Sequence, residues 1–299
     1  MANSYFKGHG LGNEYIVLDP DDLTFALTPA RITRICDRQN GIGSDGILVF
    51  EDSGSADFGL RIWNPDGSEA ETSGNGLRIF ALYLHSTGRT RKKSFTVETR
   101  GGTVRVETQH SQSDAEDGAG SVCGATVHMG KATFRPETLP CTLEVDELIE
   151  QPIRAAGETL TFTGVNVGNP HCVVFRSQDR KWSRDDLLRL CPALETHPIF
   201  PNRINVQLAA PTGPSKIRIL IWERGVGETT SSGSSACAAA SAAVRLGLVT
   251  SPVSVESPGG AVLVNVDEEF NLTLTGPVAE VARGTFSEAM FREILNADD

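Results

Sequence analysis

No C-x-x-C pair occurs among the six cysteines, which stand singly at 36, 123, 141, 172, 191 and 237. A chain of 299 residues is also too long to need disulfide staples, so these read as the reduced thiols of a cytoplasmic protein. Long apolar runs are missing too. No stretch reaches 18 residues, and Lys7, His9, Asn13 and Glu14 interrupt the place where a signal peptide would keep its apolar core. The chain therefore reads as neither exported nor membrane-spanning. Positive charge is scarce: 27 Lys plus Arg face 38 Asp plus Glu, a formal charge of −11, and no basic run is longer than Arg89 to Lys93. Phosphate neutralisation wants a face rich in Lys and Arg, so the balance argues against a nucleic-acid partner. What is present is ordinary globular material, 39% apolar and 22% charged, at a length that suggests two domains.

The organising feature is an internal repeat. Val97-Glu98-Thr99-Arg100-Gly101-Gly102-Thr103-Val104 is answered by Val255-Glu256-Ser257-Pro258-Gly259-Gly260-Ala261-Val262, sharing the Val-Glu pair, the Gly-Gly pair and the closing valine. Each copy alternates apolar and polar residues about two glycines, the pattern of a β-hairpin. Upstream of each lies a Ser-Gly turn, Thr72-Ser73-Gly74-Asn75-Gly76 and Ser231-Ser232-Gly233-Ser234-Ser235. Ser73 precedes Gly101 by 28 residues and Ser232 precedes Gly259 by 27. Gly10-Leu11-Gly12-Asn13 has its counterpart in Val167-Gly168-Asn169-Pro170, with Asn13 60 residues before Ser73 and Asn169 63 before Ser232. Three anchors in one order at near-equal spacing indicate two related halves.

Both Ser-Gly turns run into helices. Leu77, Phe80, Ala81 and Leu84 fall at i, i+3, i+4 and i+7, with Gly88 suited to the left-handed C′ position. Ala236, Ala239, Ala240 and Ala243 repeat that spacing, with Gly247 as the stop, and Cys237, Ala238, Ala242 and Val244 make this second helix apolar nearly all round, hence buried. Tyr15 to Leu18, Gly46 to Phe50, Thr103 to Glu107, Cys172 to Phe175 and Ile217 to Trp222 read as short strands. The expected fold is α+β, with two pseudo-symmetric domains, each a curved, mainly antiparallel sheet wrapped around one central helix. Gln109 to Ser121, acidic and without large apolar residues, reads as a solvated linker. The domains are accordingly expected at 1–118 and 119–299, with the last strand, about 276–299, free to return to the first.

The first turn of a helix presents unpaired N–H groups and partial positive charge, a site for a carboxylate or a developing oxyanion. Two such turns gripping the carboxylate of one amino acid would also stabilise the enolate-like charge formed when its α-proton leaves. A residue at the mouth of each turn would then reach opposite faces of the α-carbon. That is the arrangement for cofactor-free, two-base proton transfer. Either turn alone also suits an ordinary N-cap; it is their pairing that points to chemistry.

His9-Gly10-Leu11-Gly12-Asn13, Asn64-Pro65-Asp66-Gly67-Ser68-Glu69, Ser73-Gly74-Asn75-Gly76, Gly168-Asn169-Pro170-His171 and Glu223-Arg224-Gly225-Val226-Gly227-Glu228-Thr229 together resemble the diaminopimelate epimerase family, in order and over nearly the full chain. The resemblance implies an active site in the cleft between two domains. It also implies interconversion of LL- and meso-diaminopimelate without pyridoxal phosphate, metal or other cofactor, on the path to lysine and peptidoglycan precursors. A small amino acid is the implied partner, and a homodimer the implied assembly. Asn13, Asn64, Asn169 and Asn205 match the family's substrate-binding asparagines. Glu223 and Arg224 match its Glu-Arg pair, in which the arginine can hold a distal carboxylate through a bidentate fork. Gly74 with Asn75, and Gly233 with Ser234, match the backbone donors for the reacting carboxylate. His171 resembles a histidine lining the site near the first base. Bland alternatives accompany three of these: Asn64 suits a simple turn, Arg224 a surface ion pair, and His171 a hydrogen-bonded core histidine.

Two departures matter. Where some members carry a glutamine in the second loop, this chain has Gly46, so no contact is expected there. The family's two bases are cysteines, whereas here they are Ser73 and Ser232, and Ser235 replaces a common glycine. A thiol with a pKa of about 8.5 is readily ionised at a helix N-terminus. An alcohol is several units more basic and needs a neighbour to take its proton. His171 is the candidate neighbour for Ser73, and Glu223 or Glu228 for Ser232. Beside epimerisation, two alternatives follow from this change: a sister activity such as dehydration of a hydroxy amino acid, and a non-catalytic or impaired protein that binds an amino acid.

Overall fold

The computed structural model describes residues 3–111, 121–176 and 181–298. The chain divides into two compact units, one of residues 1–127 and 276–299, the other of residues 128–275 inserted between them. The expected boundary at 118/119 and most of the acidic segment from Gln109 to Ser121 fall at 112–120, outside the described residues.

The first unit begins with β1 (Ser4–Gly10), β2 (Asn13–Leu18), α1 (Pro29–Cys36), β3 (Ile47–Glu51), β4 (Phe58–Trp63) and the short β5 (Glu69–Ala70). It continues with α2 (Gly74–Ser86), β6 (Ser94–Thr99), β7 (Gly102–His110) and β8 (Val122–Lys131). The second holds β9 (Gln151–Ala155), β10 (Glu158–Asn166), β11 (Pro170–Phe175), α3 (Arg184–Glu195), β12 (Asn205–Gly213), β13 (Lys216–Glu223) and β14 (Gly227–Thr229). After these come α4 (Gly233–Arg245), β15 (Val253–Ser257), β16 (Gly260–Val266) and β17 (Asn271–Pro277), and the chain returns to the first unit for β18 (Ala279–Thr285) and α5 (Glu288–Leu295).

The pairing makes the repeat visible. In the first unit β18, β1 and β2 are antiparallel, β2 and β3 parallel, β3 and β4 antiparallel, β4 and β6 parallel, and β6, β7 and β8 antiparallel. In the second, β9, β10 and β11 are antiparallel, β11 and β12 parallel, β12 and β13 antiparallel, β13 and β15 parallel, and β15, β16 and β17 antiparallel. The two series match strand for strand, and each Gly-Gly motif is the turn of a hairpin, closing Thr99 on Gly102 and Ser257 on Gly260.

Each sheet curls about its helix. α2 packs on β1, β2, β7 and β18, strands from distant positions of one sheet, and α4 packs on β10 to β13, β15 and β16. α2 fills its sheet with fully buried Leu77, Ile79, Phe80, Ala81 and Leu84, whereas α4 does so almost entirely with alanine, buried from Ser235 to Ala243. Gly88 (φ +73°) and Gly247 (φ +66°) end the two helices in the left-handed conformation that glycine takes without strain. On the outer faces, α1 joins Ile32 and Ile35 to Ile16, Leu18, Ile47 and Ile294 of α5, and α3 lays Leu187, Leu190 and Leu194 on Phe162, Val174, Val206 and Leu208. No helix among the described residues is long and apolar enough to cross a membrane.

Candidate active-site residues

In the first unit the site is built around the N-terminus of α2. Ser73 is the N-cap, with extended backbone (φ −147°, ψ 114°), and its Oγ accepts the Gly76 N–H at 3.0 Å. Glycine at 76 keeps that approach open, since a Cβ there would lie 3.0 Å from Leu48 and 3.2 Å from Ser73 Cβ. The Tyr15 hydroxyl lies 3.5 Å from Ser73 Oγ. The N–H groups of Gly74 and Asn75, in the first turn, have no intrahelical acceptor and point their partial charge outward.

Asn75 is buried and held on both sides. Its Nδ2 donates to Asn13 O at 2.8 Å and Asn13 Oδ1 at 2.6 Å, while its Oδ1 accepts from Arg78 Nη2 at 2.9 Å. Gly10 makes room for this amide, because a Cβ would stand 2.0 Å from Asn75 Oδ1. Asn13 in turn donates to Asp45 Oδ2 at 2.9 Å, and Arg38 binds both Asp45 and Glu14. Burial pushes the Glu14 carboxyl upward, but hydrogen bonds from Lys7 and Arg38 outweigh it and hold the group below its usual range. Arg78 was not anticipated. Its guanidinium, on a side chain 1% exposed, also donates to Gly74 O at 3.3 Å and sets a formal positive charge beneath the helix end. A lone charge in an otherwise apolar helix was the sequence signal for it.

Asn64 sits apart from this network. Its Nδ2 donates to Ser68 Oγ at 3.0 Å and its backbone closes the turn onto Ser68 and Gly67, the simple-turn role. The glycine at 46 has a steric cause: with φ +156°, a Cβ would meet Trp63 O at 2.4 Å and Tyr15 Cε1 at 2.7 Å.

In the second unit Ser232 is the N-cap of α4, with dihedrals (φ −151°, ψ 125°) close to those of Ser73 but no capping bond from its side chain; its Oγ lies 3.5 Å from Ser234 Oγ. The two serines are thus alike in backbone and unlike in bonding. Asn169, in the β10–β11 turn, places Oδ1 2.8 Å from His171 Nε2. His171 is wholly buried, and burial drives its pKa down to about 3, with the Gln207 side-chain oxygen opposing and the charge of Arg224 assisting. The imidazole is neutral at physiological pH. Asn205 braces the Glu223-Arg224 turn, donating to Pro170 O at 2.9 Å and accepting the Arg224 N–H at 3.0 Å. The buried Glu195 carboxylate, also unanticipated, secures the same turn by accepting from Trp222 Nε1 at 2.7 Å and the Gly225 N–H at 2.8 Å. Arg224 itself is exposed, with Nη1 3.4 Å from Asn202 O. Glu228 forms a bidentate pair with Arg184 of α3 at 2.7 to 3.0 Å. Among the described residues no group of three or more His, Cys, Asp or Glu is placed to hold a metal ion.

Comparison with known proteins supplies the context for these residues. The family model described as diaminopimelate epimerase matches residues 5–134 and 163–281. Diaminopimelate epimerase 2 of Nostoc sp. is 42% identical over 288 residues, covering 96% of each chain. The diaminopimelate epimerase of Erythrobacter litoralis is 39% identical over 287 residues, 96% of this chain and 98% of that one. Among solved structures, a hydroxyproline epimerase from Agrobacterium vitis superposes with a TM-score of 0.67 at 14% identity, covering 96% of this chain and 93% of its own. A PhzF-family phenazine biosynthesis protein of Bacillus anthracis gives 0.64 at 18%, covering 95% and 98%. At those identities the structural likeness establishes the fold.

Proposed function

This chain belongs to the diaminopimelate epimerase family, and from that premise we propose that it is a cofactor-independent isomerase interconverting LL- and meso-diaminopimelate, with Ser73 and Ser232 at the positions of the two bases. What supports the reading most is the near-complete match to named epimerases, joined to the retention of Asn13, Asn64, Asn75, Asn169, Asn205, Glu223 and Arg224.

The chemistry follows from the helix ends. An amino-acid carboxylate held by first-turn N–H groups of the kind that α2 or α4 presents gains fixed donors where the enolate charge develops. Arg78, buried behind Asn75, adds positive charge that solvent does not screen. Asn75 is kept rigid by Asn13 and Arg78, so its N–H is pre-oriented rather than recruited. Arg224, exposed on a turn anchored by Asn205 and Glu195, is free to fork onto the distal carboxylate. Of the two candidate acceptors for Ser232, Glu223 ends β13 and Glu228 is paired with Arg184.

A second reading is favoured by one observation. The hydrogen-bonding neighbours of the two hydroxyls are the Gly76 N–H and Tyr15 for Ser73, and Ser234 for Ser232, none of them a strong base. That environment fits an amino-acid-binding protein with slow turnover. Incubation with LL-diaminopimelate in deuterated water separates the readings: deuterium at the α-carbon of both stereoisomers supports epimerisation and binding without exchange supports the slow or inert protein, while a sister dehydratase is tested separately, by release of water from a β-hydroxy amino acid. The absence of both exchange and binding would end the diaminopimelate assignment.

A further inference from the structure

Two polar atoms in the interior of the second unit lack hydrogen-bond partners: His171 Nδ1 and Gln207 Oε1. Both side chains are 0% exposed, so each orphan forgoes water as well as a protein partner. They belong together. β11 and β12 are parallel with His171 beside Asn205 and Val173 beside Gln207, which puts His171 and Gln207 on one face, the face that α4 covers. Gln207 also lies close enough to the imidazole to raise its pKa against the effect of burial. On its other side the Gln207 amide reaches Ser235 Oγ at 3.0 Å, Ser235 being fully buried in the first turn of α4.

Placed with Nε2 toward Ser235, the amide sets its oxygen against the imidazole. With Asn169 Oδ1 facing the ring, His171 Nε2 is its donor, and a neutral ring has only that one N–H, so Nδ1 carries a lone pair. Oxygen facing a lone pair satisfies neither atom. The oxygen and nitrogen of a glutamine amide exchange places by a half-turn about χ3, and the hydrogen-bond network decides which is right. The exchange cures both orphans at once: Ser235 Oγ–H donates to Gln207 Oε1, Gln207 Nε2–H donates to His171 Nδ1, and His171 Nε2–H donates to Asn169 Oδ1.

We propose that Gln207 and Ser235 are positioning residues, forming with His171 a buried run of neutral hydrogen bonds that fixes Asn169 with its oxygen inward and its amide N–H groups presented to the ligand. This rests on the ligand-binding role proposed above for Asn169. The run gives His171 an anchoring task in place of proton transfer, because its Nδ1 is occupied and its Nε2 already holds the proton. It also gives Ser235 a purpose at a helix position where a glycine could not complete the series.

The test is long-range proton–nitrogen correlation of the histidine rings in the full, nitrogen-15-labelled chain, with His171 assigned as the signal lost in His171→Gln. Should that variant not fold, Gln207→Met provides the assignment as the ring whose Nδ1 it moves. The expected result is a neutral Nε2–H tautomer from pH 5.5 to 8, whose Nδ1 resonance moves downfield in Gln207→Met and, less far, in Ser235→Ala. A proton on Nδ1, a ring charged at pH 7, or spectra with no Nδ1 resonance responding to Gln207→Met overturns the proposal. These readouts do not depend on turnover, so they decide the hydrogen-bond run even if the epimerase reading fails. Where turnover is measurable, Gln207→Met should raise KM severalfold with kcat changed less than twofold; a lower kcat at unchanged KM overturns the presentation of Asn169.

Discussion

Replacing Ser73 and Ser232 together by cysteine should raise epimerase turnover by orders of magnitude at little structural cost. Both positions are N-caps in extended backbone, (−147°, 114°) and (−151°, 125°), which cysteine adopts without strain. The costs differ between them. Ser73 accepts the Gly76 N–H, so its exchange gives up a capping bond worth about 1 kcal/mol, whereas Ser232 makes no such bond and its exchange should be near neutral in stability. For a chain of this size 1 kcal/mol is roughly a 2 °C fall in Tm, readable by thermal denaturation of the two single variants. The gain comes from acidity. An unaided hydroxyl is less acidic than a thiol by roughly seven units, at about 1.4 kcal/mol each. If half of that difference is expressed in the transition state, the rate rises by about 10³. The assay is α-deuterium incorporation into LL-diaminopimelate by the double variant at pH 7.5, beside the unchanged protein. A double variant with native circular dichroism and no gain would refute the proposed assignment of Ser73 and Ser232 to the positions of the two bases.

Three further outcomes are expected. Gly46→Gln should destabilise the first unit by about 3 kcal/mol or more, since its Cβ would lie 2.4 Å from Trp63 O at φ +156°; urea denaturation checks it, and a soluble variant of unchanged midpoint would contradict the steric account. Arg78→Met should cost about 3 kcal/mol and weaken binding of the carboxylate ligand, because it leaves Asn75 Oδ1 buried without its donor; calorimetric titration and denaturant midpoints both read it. His171 ties stability to acidity. Its folded pKa, about 3, lies below the unfolded value near 6.5, so the unfolded chain binds the extra proton and stability falls as pH drops below about 6.5. Between pH 7 and pH 5 this group should remove about 2 kcal/mol, and the loss should shrink by that amount in a folded His171→Gln variant.

Much of the fold was legible because both helices and the strands carry their own periodicity. Tyr15 to Leu18 and Ile217 to Trp222 lie within β2 and β13, and the glycines at 88 and 247 end their helices as expected. The repeat told more than any single segment, since equal spacing of Asn13, Ser73 and the Gly-Gly turn implied a shared strand plan. What stayed hidden was contact across strands. Nothing in the local sequence brings Gln207 to His171; the parallel register of β11 and β12 does. Arg78 carried a signal, a charge amid apolar neighbours, but its partner three residues back became meaningful only once Asn13 reached the same amide. Asn205 and Glu228 show what residue type leaves out: beside the ligand and proton roles it suggested, geometry has Asn205 bracing a turn and Glu228 pairing with Arg184.

The antiparallel match of β1 with β18 has a temporal consequence. Ser4 lies opposite Thr285, so β1 must wait for β18 to be made before its outer edge is covered. At roughly 5–20 residues per second on the ribosome, that interval is roughly 15–55 s, during which residues 128–275, continuous in the chain, can already assemble. The nascent protein therefore carries an open strand edge through most of its synthesis, and Lys7, whose charge discourages foreign strands from pairing, sits in the middle of it.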